Sequence, residues 1–144
     1  MKSKAKMPSN VDKLKILGKM YRLSLLVCGY VEKFNRAYKF TLGDRLVTAS
    51  DRAEELILLA NRETDPWLAA ELVHDMLTQL DLVDLKTRKA MALGLLTPKQ
   101  KGLLDMHSAD IRGDARKWRN YFLRRCGGSA GRDGRQAESR DDVD

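Results

Sequence analysis

The chain is poor in the residues that mark disulfide-linked or metal-binding proteins. Its 144 residues include 2 cysteines, 2 histidines and 3 prolines. Cys28 and Cys126 form neither a disulfide framework nor a Cys-x-x-Cys pair, so a reducing compartment is expected. The sequence also lacks an apolar run of membrane-spanning length and a signal-peptide pattern after its first lysines. We therefore expect a cytoplasmic protein that is neither secreted nor embedded in a membrane.

No recognisable catalytic or cofactor motif is present either. There is no glycine-rich phosphate loop, Walker pattern or zinc-ligand spacing, and no residue combination indicates a catalytic triad. Glu71 and His74 have the Glu-x-x-His spacing of carboxylate di-iron bundles. Such a site needs a second pair, and His107 has Leu104 three residues before it. We predict no catalytic residue, metal ligand or cofactor, although a small bundle enzyme or metal carrier is a rival class.

What the sequence has in abundance is charge, and it is arranged in blocks. Residues 1–40 hold ten basic and two acidic residues, and residues 86–125 hold eleven and three, so each block has a net charge of +8. Between them, residues 41–85 hold three basic and ten acidic residues, while residues 126–144 hold three and five. One face of the folded chain should therefore attract a polyanion and another should repel it. This pattern favours oriented binding to nucleic acid.

Apolar residues recur at helical spacing in several long segments, which predicts helices over about residues 10–34, 42–61, 67–91 and 98–125. Asp65 and Pro66 mark the third start, and Thr97, Pro98 and Gln100 form a capping box at the fourth. Gly94 is predicted to end the third helix. The residues predicted to face the core in the last three helices are Leu42, Leu46, Ala49, Ala53, Leu56, Ala60, Ala69, Leu72, Met76, Leu80, Val83, Leu104, Ile111, Ala115, Trp118 and Phe122.

These helices and their short connections predict an all-α fold, an antiparallel up-down-up-down four-helix bundle over residues 9–126. Residues 1–8 are predicted to form a mobile basic arm and residues 127–144 a disordered tail. The first helix has two apolar stripes, which is more than one bundle seam needs, so it lies centrally or faces a second subunit. Gly102 and Gly113 weaken the last helix and are predicted to mark close approach to a neighbouring helix.

A basic, aromatic elbow joins the first two predicted helices. Thr41 is predicted to cap the second helix through its hydroxyl, with Asp44 in the first turn against the positive end of the helix dipole. The elbow folds the chain back on itself. Its distinctive residues are Phe34, Arg36 and the run Tyr38-Lys39-Phe40-Thr41-Leu42-Gly43-Asp44-Arg45-Leu46.

This stretch resembles the junction between helices one and two in the accessory variability determinant (Avd) proteins of diversity-generating retroelements. The wider group includes the four-helix proteins related to ribosomal-RNA intervening-sequence proteins. The resemblance implies a pentameric barrel of four-helix protomers that binds RNA or DNA without strong sequence preference. It also implies association with the retroelement's reverse transcriptase in adenine-mutagenic cDNA synthesis, without catalysis by the accessory protein, and it assigns basic contacts to Arg36 and Lys39.

The predicted topology gathers one end of every helix into a basic cluster. Tyr38 and Phe40 lie beside it and are available to stack on bases or to pack. The predicted binding residues of the cluster are Lys33, Arg36, Lys39, Arg45, Lys86, Arg88, Lys89, Lys99 and Lys101. A second basic patch on the last helix consists of Arg112, Arg116, Lys117 and Arg119.

Other interpretations of these features stay open. Each lysine or arginine alone suits a solvated helix end, and the cluster could also meet an acidic protein. A four-helix structural protein of the intervening-sequence type, associated with RNA but lacking a polymerase partner, would have nearly the same sequence. A reverse-transcriptase gene beside this one would distinguish the two.

Overall fold

The computed structural model describes the backbone of residues 8–127 and the side chains of residues 15–127. Within them the chain forms four long helices, α1 (Pro8–Glu32), α2 (Asp44–Arg62), α3 (Pro66–Ala92) and α4 (Pro98–Gly127), and no strand. A helical turn at Arg36–Tyr38 and a π-helical turn at Lys39–Gly43 connect α1 to α2. The predicted arm and tail lie outside the described residues, apart from Pro8, which begins α1, and Gly127, which ends α4.

The sequence signals at the ends of α3 and α4 are confirmed. The Asp65 carboxylate accepts a hydrogen bond from the Trp67 backbone N–H at 2.9 Å, and Pro66 occupies the first helical position. Gly94 follows α3 with φ of 78°, a left-handed conformation that glycine adopts without strain. At α4 the Thr97 N–H donates to the Gln100 side chain and the Gln100 N–H donates to Thr97 Oγ1, at 2.9 and 3.1 Å. This reciprocal pair is the predicted capping box.

Each long helix packs against its neighbours in the chain, and α1 also contacts α4. The contacts enclose one continuous apolar core. All the residues predicted to face the core in the last three helices are buried, except Leu72, which is half-buried. The all-helical bundle is therefore confirmed. None of the helices in the described part of the chain is long and apolar enough to cross a membrane.

The two apolar stripes of α1 have different environments. In the first stripe Ile16, Met20, Leu23 and Val27 are buried in the core, and Phe34, just after the helix, is buried as well. In the second stripe, by contrast, Tyr21 is 57% and Leu25 54% exposed, and Cys28 is exposed as well. The α1 helix is thus not enclosed by the protomer. Tyr21, Leu25 and Cys28 of the second stripe lie at the surface, whereas Val31 at its end is buried.

Thr41 does not cap α2, so this expectation was wrong. Residues 39–43 continue the helical path as a π-turn, and the Thr41 hydroxyl donates backward to the carbonyls of Ala37 and Tyr38 at 3.3 and 3.4 Å. This back-bonding is typical of a threonine inside a continuing helix, and no side chain caps the start of α2. The elbow is therefore built from two short helical turns rather than a capped break.

The expectation that Gly102 and Gly113 mark close helix approach was also wrong. A Cβ atom added at either position would meet no heavy atom within 4 Å. The close approach occurs at the elbow instead, where a Cβ on Gly43 would lie 2.7 Å from Val31 Cγ1 and 3.5 Å from Phe34 Cδ2. Gly43 therefore allows the end of α1 to pack directly against the connecting turn.

We expect Gly43→Ala to lower the free energy of unfolding by about 1 kcal/mol, because overpacking against buried, β-branched Val31 outweighs the better helix propensity of alanine. Gly102→Ala is the matched control. Its site is open, so it should raise the free energy of unfolding by about 0.5–1 kcal/mol. Urea denaturation at one protein concentration measures both. Equal stabilisation by the two substitutions would contradict the close packing at Gly43, and Val31→Ala should reduce the cost of Gly43→Ala in a double-mutant cycle.

Candidate nucleic-acid interface

The elbow (residues 33–46) presents cations and one aromatic ring to solvent. Lys33, Arg36 and Arg45 are exposed, and none has a carboxylate within ion-pair distance among the described residues. Lys39 is half-buried, with its Nζ atom 6.0 Å from the centre of the Phe40 ring. Phe40 is 64% exposed. A flat apolar ring beside unpaired cations provides both a stacking surface and phosphate-binding groups.

Further predicted cations lie at the end of α3 and the start of α4. Arg88, Lys89 and Lys99 are exposed, and Lys86 is half-buried. Lys101 differs, because it is 8% exposed and its ammonium pairs with Asp105 at 2.5 Å. Because the Lys101 charge is already paired with a carboxylate of the same helix, we do not include Lys101 in the interface.

An open groove of about 470 Å³ runs along the contact between α1 and α4. Lys33 near the end of α1 and Gln100 in the first turn of α4 both line it, together with Arg22 and Tyr30. We call it the elbow groove. The groove shows that the end of α1 lies beside the start of α4. The predicted basic cluster assumed this proximity of the two segments.

The second predicted patch is divided in the structure. Arg112 forms ion pairs with Asp81 and Asp84 of α3, so it serves a contact between helices. Arg119 is half-buried, and its Nε atom is buried without a hydrogen-bond acceptor among the described residues. Arg116 and Lys117 are exposed. Only these last two present unpaired charge to solvent, and they do not make a continuous arginine surface.

Lys117 instead lines a second groove between α1 and α4, with a volume of about 400 Å³. We call it the distal groove. Lys15 and Lys19 of α1 contribute to it, as do Trp118, Tyr121 and Arg124 of α4. Lys15 precedes Glu32, the last residue of α1, by seventeen residues, which corresponds to about 26 Å along the helix axis, and Lys33 comes next. The distal groove is therefore separate from the elbow.

The surface where α2 meets α1 is acidic. Cys28 is exposed, but partial desolvation by its neighbours is the main cause that raises the pKa of its thiol, and the charges of Asp51 and Glu54 on α2 raise it further. Burial also raises the pKa of Glu54, with smaller contributions from Asp51 and Glu55. Three neighbouring carboxylates form a surface of negative potential. A polyanion bound at the elbow would be repelled from this surface, which fixes an orientation.

Neither histidine belongs to a metal site in the described part of the chain. Over residues 15–127 no group of three or more His, Cys, Asp or Glu side chains is placed to hold a metal ion. His74 is exposed, and Glu71 is half-buried. The Glu-x-x-His spacing therefore lies on a helix surface.

Lys15 and Arg22 are groove residues that the sequence interpretation did not select. A usable signal was present, because Lys15, Arg22 and Lys33 are separated by seven and eleven residues. Both separations are close to whole numbers of helical turns, so Lys15 and Arg22 share one face of α1, and Lys33 follows in the turn at the end of that face. Counting charge by segment concealed this alignment.

Comparison with known proteins gives no assignment. The chain matches no family model, no curated protein and no solved structure. A functional interpretation depends on the geometry above and on the resemblance of the elbow.

Proposed function

We propose that this chain is a non-catalytic, cytoplasmic accessory protein of a diversity-generating retroelement. It binds RNA or cDNA and the reverse transcriptase, and it supports mutagenic cDNA synthesis. The observation that carries the nucleic-acid part is the elbow, where Arg36 and Arg45 are exposed and unpaired among the described residues beside a 64% exposed Phe40. The partner and the reaction come from the resemblance of residues 34–46 to Avd proteins.

The proposed interface contains the elbow, the end of α3 and the start of α4. Phosphate contacts by Lys and Arg give affinity without base specificity, because the backbone of every nucleic acid presents the same charge. Phe40 adds stacking on an unpaired base. The interface excludes Lys101 and Arg112, whose charges are committed to carboxylates of this chain.

We propose the antiparallel up-down-up-down arrangement for the four helices. Two sets of contacts support it. Lys19, near the middle of α1, contacts Asp114, near the middle of α4, whereas Lys33, just after α1, shares a groove with Gln100 at the start of α4. Between α3 and α4, Ser108 donates to Asp84 and Arg112 donates to Asp81, so the later residue in one helix meets the earlier residue in the other.

The proposed assembly is a ring or barrel-like homo-oligomer, a pentamer by resemblance. Support comes from the second stripe of α1, where Tyr21 and Leu25 are more than half exposed. Large apolar side chains aligned on one helix face are typical of a surface that a partner covers. The number of five subunits comes only from the resemblance to Avd proteins.

We expect Leu25→Arg to dissociate this oligomer, because a guanidinium would have to be desolvated without an opposing carboxylate on the same stripe. Size-exclusion chromatography with light scattering measures the mass directly. Leu25→Met is the matched control, since it conserves apolar volume and should leave the mass unchanged. An unchanged mass for Leu25→Arg would exclude this stripe from the interface.

The direct test of the function is binding of the purified chain to labelled structured RNA and to DNA of matched sequence, by fluorescence anisotropy across a salt series. We expect submicromolar affinity at low salt and a steep loss as salt increases. Absence of binding at low salt would remove the nucleic-acid proposal.

A second experiment tests the polymerase partner. Tagged chain is mixed with the reverse transcriptase encoded beside its gene, with nuclease-treated samples as the control for bridging through RNA. Nuclease-resistant capture is expected. RNA binding without capture, or without such a neighbouring gene, would favour the RNA-associated four-helix protein that lacks a polymerase partner.

A further inference from the structure

Among the described residues, the distal groove has more cationic side chains than carboxylates to pair with them. Its carboxylate, Asp114, accepts from Lys19 at 2.7 Å, and Asp110 also accepts from Lys19. The hydrogen bond to Asp114 is the largest cause that raises the pKa of Lys19, so this lysine is held as a cation in a local ion pair. Lys15, Lys117 and Arg124 are exposed and have no ion-pair partner among residues 15–127. Three cations around one groove favour a ligand with negative charge.

The wall of the groove contains a buried donor without an acceptor. Trp118 is 7% exposed, and its Nε1 atom is buried and bonded to nothing within the described residues. An indole N–H normally finds a partner when it is buried, because leaving it unbonded costs about 1–3 kcal/mol. Because the atom is covered, a ligand in the groove reaches it only if the covering side chains shift, but the Trp118 indole signal reports on contacts at this wall.

Aromatic surface completes the groove. Tyr121 lines it, and the tyrosine ring is held from another side by Arg125, whose guanidinium carbon lies 5.3 Å from the ring centre. Arg125 also donates to the Tyr121 hydroxyl at 3.2 Å. A ring fixed in this way loses little conformational entropy when a second flat group packs against it.

We propose that the distal groove binds a nucleotide unit. Lys15, Lys117 and Arg124 contact its phosphate, and its base packs against the wall formed by Tyr121 and Trp118. The volume of about 400 Å³ falls in the usual range for small-ligand sites and exceeds what an inorganic anion fills. The ligand chemistry is the same for a free nucleotide and for one residue of a single strand, and the single-strand form rests on the proposed nucleic-acid function.

Binding can be followed at the groove itself. In full-length protein labelled with ¹⁵N, the two tryptophans give two indole N–H signals, and Trp118→Phe identifies the one from Trp118. The ligands are adenosine monophosphate, adenosine, inorganic phosphate and a hexadeoxyadenylate strand at low salt. We expect adenosine monophosphate to shift the Trp118 signal, with adenosine and phosphate each at least about tenfold weaker, because each lacks one set of contacts.

A second experiment removes two of the proposed phosphate-binding charges. Lys117→Ala combined with Arg124→Ala should weaken adenosine monophosphate at least about tenfold, because two charge-assisted contacts are lost. The charge-matched control is Arg52→Ala with Arg62→Ala, which removes two exposed cations from α2 and should leave the affinity unchanged.

The outcomes separate the sources of the ligand. Hexadeoxyadenylate bound at least about tenfold more tightly than the mononucleotide supports a single strand, whereas equal affinities support a free nucleotide. No shift of the Trp118 signal with either ligand, a shift by phosphate as strong as by the mononucleotide, or unchanged affinity in the Lys117 and Arg124 variant would each overturn the proposal. Structured RNA that still binds at the elbow would show that only the groove proposal had failed.

Discussion

Simultaneous replacement of Arg36, Lys39, Lys86 and Lys89 by alanine should weaken binding to structured RNA at least about 100-fold at low salt. Two of these cations lie on the elbow and two near the end of α3, and in the described residues none pairs with a carboxylate. Their charge is therefore available to phosphates. Nothing in the core depends on it, since Arg36 and Lys89 are exposed and Lys39 and Lys86 are half-buried.

The salt dependence separates lost phosphate contacts from a general loss of binding. Each phosphate contact contributes about 0.7 to the slope of log affinity against log salt on single strands and about 0.9 on duplexes. Loss of all the replaced contacts should reduce the slope by about 3. An affinity that falls while the slope stays unchanged would indicate unfolding or a changed oligomer rather than lost contacts.

A charge-matched comparison tests the location of the interface. Arg36→Ala with Lys39→Ala removes two cations at the elbow, and Arg52→Ala with Arg62→Ala removes two from the acidic stretch of α2. Both variants change the net charge equally, so a nonspecific effect of net charge would weaken both to the same degree. We expect the elbow variant to bind at least about tenfold more weakly than the control. Equal affinities would exclude the elbow as the interface.

The helix positions could be predicted because their signals are local. Asp65 with Pro66, Gly94, and Thr97 with Gln100 act on backbone groups within a few residues, so their sequence spacing contains the whole interaction. The core-facing residues of α2 to α4 follow from helical periodicity for the same reason. The packing of adjacent helices then follows from short connections.

The errors concern positions where residue type alone does not determine the backbone path or the distance to a neighbouring helix. Thr41 has the residue type of a helix cap, but the backbone continues as a π-turn, and the Thr41 hydroxyl donates to the carbonyls of Ala37 and Tyr38 in the preceding turn. The sequence does not distinguish Gly102 from Gly43. Only the structure shows that Gly43 is closely packed against the end of α1, whereas the space around Gly102 is open. The periodicity of apolar residues indicates which face of a helix a residue occupies. It does not indicate how close the neighbouring helix lies.

The same limit applies to the charged residues. A sequence count treats Arg112 and Arg116 alike, because both belong to one basic run on α4. In the structure Arg112 pairs with two carboxylates of α3, whereas Arg116 is exposed and unpaired among the described residues. Ion pairing between helices depends on how each helix is rotated about its axis. That rotation is determined by the packing of the whole apolar face and not by the charged residues alone.

Arg112→Ala should lower the free energy of unfolding by about 2 kcal/mol. The Arg112 side chain is 17% exposed and donates to Asp81 at 2.8 Å and to Asp84 at 2.5 Å. Ser108 also donates to Asp84, at 3.1 Å. Removal of the guanidinium leaves the half-buried Asp84 carboxylate with this hydroxyl alone, and the uncompensated charge carries most of the cost. Solvent around Asp81 keeps the loss below that of a fully buried pair.

Arg116→Ala provides the control for this effect, because Arg116 follows Arg112 by one helical turn and is exposed. Its change in unfolding free energy should stay within about 0.5 kcal/mol. Asp84→Ala should cost more than Asp81→Ala, since the Asp84 side chain is 32% exposed and the Asp81 side chain 70%. Urea unfolding of all variants at one protein concentration keeps any contribution from oligomer assembly constant. If Arg112→Ala were as stable as Arg116→Ala, the ion pairs between α3 and α4 would contribute nothing to stability, and Arg112 would again be available as a phosphate-binding residue.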